Sequence, residues 1–136
     1  MAFMTWNDKL SVGVVALDND HKKMIVLLNE LYDGIVAEQG KAVLGGILEQ
    51  LKEYTRYHFR HEEELMERSG YLDAEIHKRE HHELLVWSVK VNEQFNSGTL
   101  AAPSLEVMNY LKDWLFDHIM GSDQQYKAHL NAMGIH

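Results

Sequence analysis

Four long stretches of this chain repeat apolar side chains at alternating steps of three and four residues, with glycines between most of them. That spacing keeps one face of a helix turned toward partner helices. The first stretch presents His21, Ile25, Leu28, Tyr32 and Ile35, and the second Leu44, Leu48, Leu51, Thr55, His58, Glu62 and Leu65. The third presents His77, His81, Leu84, Ser88, Val91 and Phe95, and the fourth Met108, Leu111, Leu115 and His118. Asp18 or Asn19 is placed to cap a first helix that runs to about Gln39, where Gly40 stops it. The second reaches about Ser69 before Gly70, with Gly45 and Gly46 leaving its start unclear. Asp73 is placed to cap a third helix to about Asn96, residues 97–103 read as a loop, and Ser104 is placed to cap a fourth that continues to about Met133 before Gly134. The pattern predicts an all-α fold: an antiparallel up-down-up-down four-helix bundle over residues 18–133, preceded by an extended lead over 1–17 that Trp6 anchors.

The 136 residues are expected to form one domain, and 13 basic against 21 acidic side chains give a formal charge of −8. That balance opposes binding to nucleic acid or to an anionic bilayer. No basic segment precedes an apolar run at the N-terminus, and no stretch approaches the roughly 20 apolar residues that cross a bilayer, so a cytoplasmic monomer without membrane insertion is expected. Having no cysteine, the chain holds no iron–sulfur cluster, cysteine-ligated zinc or thiol nucleophile. Nine histidines, by contrast, are several more than an ordinary domain carries.

In an up-down-up-down bundle the start of the first helix, the end of the second, the start of the third and the end of the fourth lie together. His21, His58 with Glu62, His77 with His81, and His118 occupy those four places. Two of the pairs are four residues apart, which puts both side chains on one helix face about one turn apart. Asp123 follows His118 by five residues, an offset of about 140° on a regular helix. The apolar stripe nevertheless resumes one residue late as Asp123, Tyr126, Leu130 and Met133, which predicts a π-type bulge near Gly121 that returns Asp123 to the core. Five imidazoles and two carboxylates buried without partners would each cost a few kcal/mol, so the cluster reads as a metal site. Seven donors exceed one tetrahedral zinc, and nitrogen and oxygen ligation suits iron better than copper(I). Two octahedral ions sharing both carboxylates and one oxide or hydroxide would be left with a single open position. His61, His82, His129 and His136 are read as non-ligands, and of the acidic run at 62–64 only Glu62 is expected to face inward.

At these residues the sequence resembles the hemerythrin family, most closely its single-domain bacterial members. The matching segments are DNDH at 18–21, HFRHEE at 58–63, HKREH at 77–81 and HIMGSD at 118–123. The resemblance implies a non-haem di-iron centre that binds dioxygen reversibly, for carriage, storage, delivery or sensing. It implies one iron held by His77, His81 and His118, the other by His21 and His58, and Glu62 and Asp123 bridging them beside an oxide or hydroxide. Dioxygen would bind end-on at the two-histidine iron, taking one electron from each metal. Leu115 and Trp114 correspond to residues near the gas pocket, and Tyr126 is expected to reach toward the bridge. The competing readings are a di-iron peroxidase or oxidase and a non-catalytic metal-binding bundle. The Glu-x-x-His pairs of di-iron oxidases are absent from this sequence, which favours binding over turnover.

Overall fold

A computed structural model describes residues 2–98 and 105–136 of the chain. The described residues form α1 (Val15–Val36), α2 (Lys41–Ser69), α3 (Ala74–Asn96), α4 (Leu105–His118) and α5 (Gln124–Ala132). A short 3-10 turn spans Asp8–Leu10, and a π-helical segment at Ile119–Asp123 joins α4 to α5 in one rod. The result is the four-helix bundle that the apolar spacing predicts. Neighbours run antiparallel: late α1 meets early α2, where a methyl on Gly34 would lie 3.0 Å from Leu44. Early α2 in turn meets late α3, where a methyl on Gly45 would lie 3.3 Å from Phe95. Among the described residues no helix is long and apolar enough to cross a membrane.

The inward stripes build one core, in which Leu17, Leu28, Leu31, Met66, Met108, Ile119 and Leu130 are fully enclosed. Burying each such side chain contributes roughly 1.5–3 kcal/mol. The lead is part of this core, since Met4, Leu10, Val12 and Val14 are buried. It is tied down by a reciprocal pair, in which Met4 N donates to Asn29 Oδ1 and Asn29 Nδ2 donates to Met4 O, each at 2.8 Å. Trp6 is half-buried beneath the Lys22 ammonium, 5.0 Å from its ring centre, an anchoring cation–π contact.

Both ends of α1 differ from the expectation. α1 begins at Val15, ahead of Asp18, and its N-cap Val14 offers no side-chain bond. The Asp18 carboxylate is occupied elsewhere: it accepts from Ser11 Oγ at 2.6 Å and from Val12 N at 2.8 Å, fastening the lead. α1 also ends at Val36, before Gln39, and its terminus is closed by Gln39 N donating to Gly34 O at 3.0 Å. The left-handed residue of that closure is Glu38, at φ 53°, while Gly40 is extended and opens α2. At the end of α2 the expected glycine does stand in the left-handed region, Gly70 at φ 72°. Met133 was expected on the inward stripe but lies beyond α5 and is 57% exposed. Asp73 takes the N-cap position of α3 without a side-chain bond, and Ser104, the expected cap of the fourth helix, lies outside the described residues.

Candidate metal centre

All seven predicted donors meet at one end of the bundle, none more than 6% exposed. α1 supplies His21, α2 supplies His58 and Glu62, α3 supplies His77 and His81, and α4 ends on His118. The π segment closes on Asp123, since its wider turn adds the residue needed to bring that carboxylate back beneath His118. The donors fall into two sets whose ligating atoms lie within 4.8 Å of one another: Glu62, His77, His81, His118 and Asp123 in one, His21, His58, Glu62 and Asp123 in the other.

Both carboxylates belong to both sets, and each divides its oxygens between them. Glu62 Oε1 lies 2.6 Å from His77 Nε2 and 3.0 Å from His81 Nε2, while Oε2 lies 3.0 Å from His58 Nε2. Asp123 Oδ1 lies 2.9 Å from His77 Nε2 and 3.0 Å from His118 Nε2, while Oδ2 lies 3.1 Å from His21 Nε2. Two positive centres placed side by side would each receive one oxygen from each acid.

Three of the rings are aimed from behind. His58 donates from Nδ1 to Asp20 at 3.0 Å, His81 to Glu63 at 2.9 Å, and His118 to Glu80 at 2.9 Å. An ionised carboxylate only accepts, so these contacts put a hydrogen on Nδ1 and turn the Nε2 lone pair inward, the arrangement that orients metal-bound imidazoles. Stacking adds stiffness: Phe59 lies flat on His81 at 3.8 Å between ring centres, and Trp114 on His118 at 4.5 Å. Tyr126, one turn after Asp123, donates its hydroxyl to Glu62 Oε2 at 2.9 Å.

The sequence reading missed Asp20, Glu63, Glu80 and Phe59. It assigned Glu63 to the solvated face, whereas the half-buried side chain turns to His81. A signal was present, because Asp20 and Glu80 directly precede donors and Glu63 directly follows one. His61 lies off the inward face, as expected, but its Nδ1 donates at 2.9 Å to the same oxygen of Asp20 that His58 uses. Leu115 and Trp114 line a mainly apolar cavity of about 60 Å³ with Leu28, Leu84 and Leu111, and none of the seven donors borders it.

The donor set fits cations. His21 has no hydrogen-bond partner for either ring nitrogen, nor has Asp123 for either oxygen, although all four atoms are enclosed. Their 3.1 Å approach through His21 Nε2 is close but misdirected for a hydrogen bond. Leaving such groups unmatched costs several kcal/mol, which a shared cation would remove. Without metal, protons partly fill this role. Burial opposes charging His58, but the Glu62 charge and the Asp20 hydrogen bond outweigh it and push its pKa up to about 9. His77 likewise reaches about 9 and His118 about 10, burial being overcome by Asp123 and Glu62. Burial would raise Glu62 and Asp123, yet the surrounding imidazoles hold both below the usual carboxylate range.

A helical bundle whose core, among the described residues, turns polar at one end around two adjoining sets of nitrogen and oxygen donors has the build of a buried cation-binding protein. Residues 12–130 match the hemerythrin HHE cation binding domain. The chain is 37% identical over 135 residues to a bacteriohemerythrin of Stenotrophomonas maltophilia, covering 96% of this chain and 86% of that protein. To a myohemerythrin of Theromyzon tessulatum it is 29% identical over 125 residues, covering 92% of each. It superposes on a crystal structure of wild-type hemerythrin with a TM-score of 0.88 at 30% identity, over 95% of this chain and 98% of that one. The chain belongs to the hemerythrin family.

Proposed function

We propose that this chain binds dioxygen reversibly at two iron ions, as a carrier, store, delivery protein or sensor. In this reading His77, His81 and His118 would hold one ion and His21 and His58 the other, with Glu62 and Asp123 shared between them beside an oxide or hydroxide. The observation that carries the reading is the division of both carboxylates between two donor sets. The related bacteriohemerythrins and myohemerythrin support it. When bound, the ferrous pair supplies the two electrons that dioxygen takes up.

The side chains set the terms of that exchange. Asp20, Glu63 and Glu80 keep the imidazoles pointed inward, so the rings need no rearrangement between ligand-free and ligand-bound states. Tyr126 holds Glu62 Oε2 through its hydroxyl and limits rotation of that carboxylate. Leu115, buried one turn before His118, would keep the surroundings of the centre apolar, which admits an uncharged diatomic gas and slows the entry of water and protons that would release reduced oxygen species. The imidazole-rich donor set brings less negative charge than carboxylate-rich centres, which favours holding dioxygen over cleaving it. All seven donors come from one chain, so a monomer suffices.

The test is to load the protein with iron, reduce it without air, add dioxygen and then remove it while following the visible spectrum. A ligand-to-iron absorption that appears and vanishes over repeated cycles is expected. One-way oxidation with substrate consumption would instead identify a peroxidase or oxidase, and a single spectroscopically silent zinc per chain a structural metal site.

A further inference from the structure

The centre depends on a helical irregularity, the π segment Ile119–Asp123 that carries Asp123. A π turn is an uncommon departure from the α-helix and needs support from its surroundings. Gly121, inside the segment, does not supply it through want of space, because a Cβ there would meet nothing within 4 Å, and its φ is not positive. The support visible within the segment is Ser122, which donates its hydroxyl to Glu80 Oε2 at 2.6 Å. The same oxygen accepts Nδ1–H of His118, the residue just before the segment, at 2.9 Å. Glu80 is carried on α3, between His77 and His81 in sequence. One half-buried carboxylate thus grips the rod on both sides of the inserted residue and ties it to the helix that supplies two further donors. The other polar tether nearby, Gln124 Nε2 to Ser11 O at 3.1 Å, lies past the segment and touches no donor.

We propose that Glu80, acting with Ser122, is the positioning residue that locks the π register and thereby delivers Asp123 and the inward lone pair of His118 to the same centre. Without this grip the rod relaxes toward a regular helix. Asp123 then rotates about 140° from His118, by the 3.6-residue period, and leaves the core. In the metal-free chain Asp123 is also drawn to the imidazoles of His21, His77 and His118 at 2.9–3.1 Å, so the Glu80 grip acts on the backbone beside that attraction. The inference rests on the donor set proposed above, but not on what the centre binds.

The experiment compares the unmodified protein with Glu80→Ala, Glu80→Gln, Ser122→Ala and, as a control on the exposed face of α3, Glu83→Ala. Amide hydrogen exchange of the metal-free chain reads the register directly. Anaerobic titration with Fe²⁺ against a competing chelator reads its consequence. Glu80→Ala and Ser122→Ala are expected to speed exchange at residues 119–123 roughly tenfold or more while leaving mid-α2 unchanged. Glu80→Ala should weaken Fe²⁺ binding about 10–100-fold. Glu80→Gln, whose amide oxygen still accepts both bonds, should stay within about threefold of the unmodified protein, and Glu83→Ala should match it. Unchanged exchange at 119–123 in both Ser122→Ala and Glu80→Ala would overturn the proposal. If Glu80→Ala does not fold, Ser122→Ala decides alone, since it removes one hydroxyl and keeps the Glu80–His118 pair. A centre that proves not to bind dioxygen leaves the exchange result standing, so the two readings fail separately.

Discussion

His77 and His82 ride on the same helix, yet the first is buried between Glu62 and Asp123 while the second is exposed. Replacing His77 by alanine removes a nitrogen that approaches both Glu62 and Asp123. Iron content measured after reconstitution should therefore fall to about one ion per chain or less. His82→Ala should load like the unmodified protein, and equal losses in the two variants would refute the assignment of faces. Leu115 makes a different kind of contribution, as an apolar wall without any donor atom. Leu115→Asn should bring water toward the centre and speed irreversible oxidation of the oxygenated protein roughly tenfold or more. An unchanged rate in the visible spectrum would remove Leu115 from the approach path.

At the scale of helices, two termini that close alike in backbone geometry carry different residues. α1 ends through left-handed Glu38, whereas α2 ends through left-handed Gly70. A side chain in that region costs roughly 1 kcal/mol relative to glycine. Glu38→Gly should therefore stabilise the protein by about 0.5–1 kcal/mol, and Gly70→Ala should destabilise it by about 1 kcal/mol, both read from urea midpoints. The Gly70 turn also sets how α3 returns against α2, so the second change is expected to loosen the approach of His77 to Glu62, whereas the first lies at the far end from the donors. Shifts of the same sign would show that the turns are held by something other than these two residues.

Across the whole molecule, the polar end of the core links stability to pH. The folded-state pKa values of His58, His77 and His118 stand at about 9, 9 and 10, above the ordinary 6.5. Groups raised in this way stabilise the fold fully below the unfolded value, and that contribution fades as pH rises through the folded one. The depressed carboxylates Glu62 and Asp123 act in the opposite direction, losing their contribution only in acid. The metal-free protein should thus show a thermal midpoint that falls steadily between about pH 6.5 and 10. With metal bound the imidazoles are neutral ligands, so the fall should flatten and metal affinity should rise with pH. A metal-free midpoint independent of pH over that window would show that protons do not fill the site.

Helical spacing was legible because it is local: each stripe is set by side chains within a few residues of one another. From those stripes followed the bundle, the end at which His21, His58, His77, His81 and His118 gather, and the inserted residue before Asp123. Helix ends were less legible, because a carboxylate such as Asp18 or a left-handed residue such as Glu38 can serve either of two local geometries. Tertiary packing decided between them. It also decided what no periodicity encodes, namely that Asp20, Glu63 and Glu80 turn toward ring nitrogens on other helices, and that Glu62 and Asp123 each offer one oxygen to either donor set. Such choices depend on distances of a few ångströms between residues dozens of positions apart, and those distances exist only once the rods have packed.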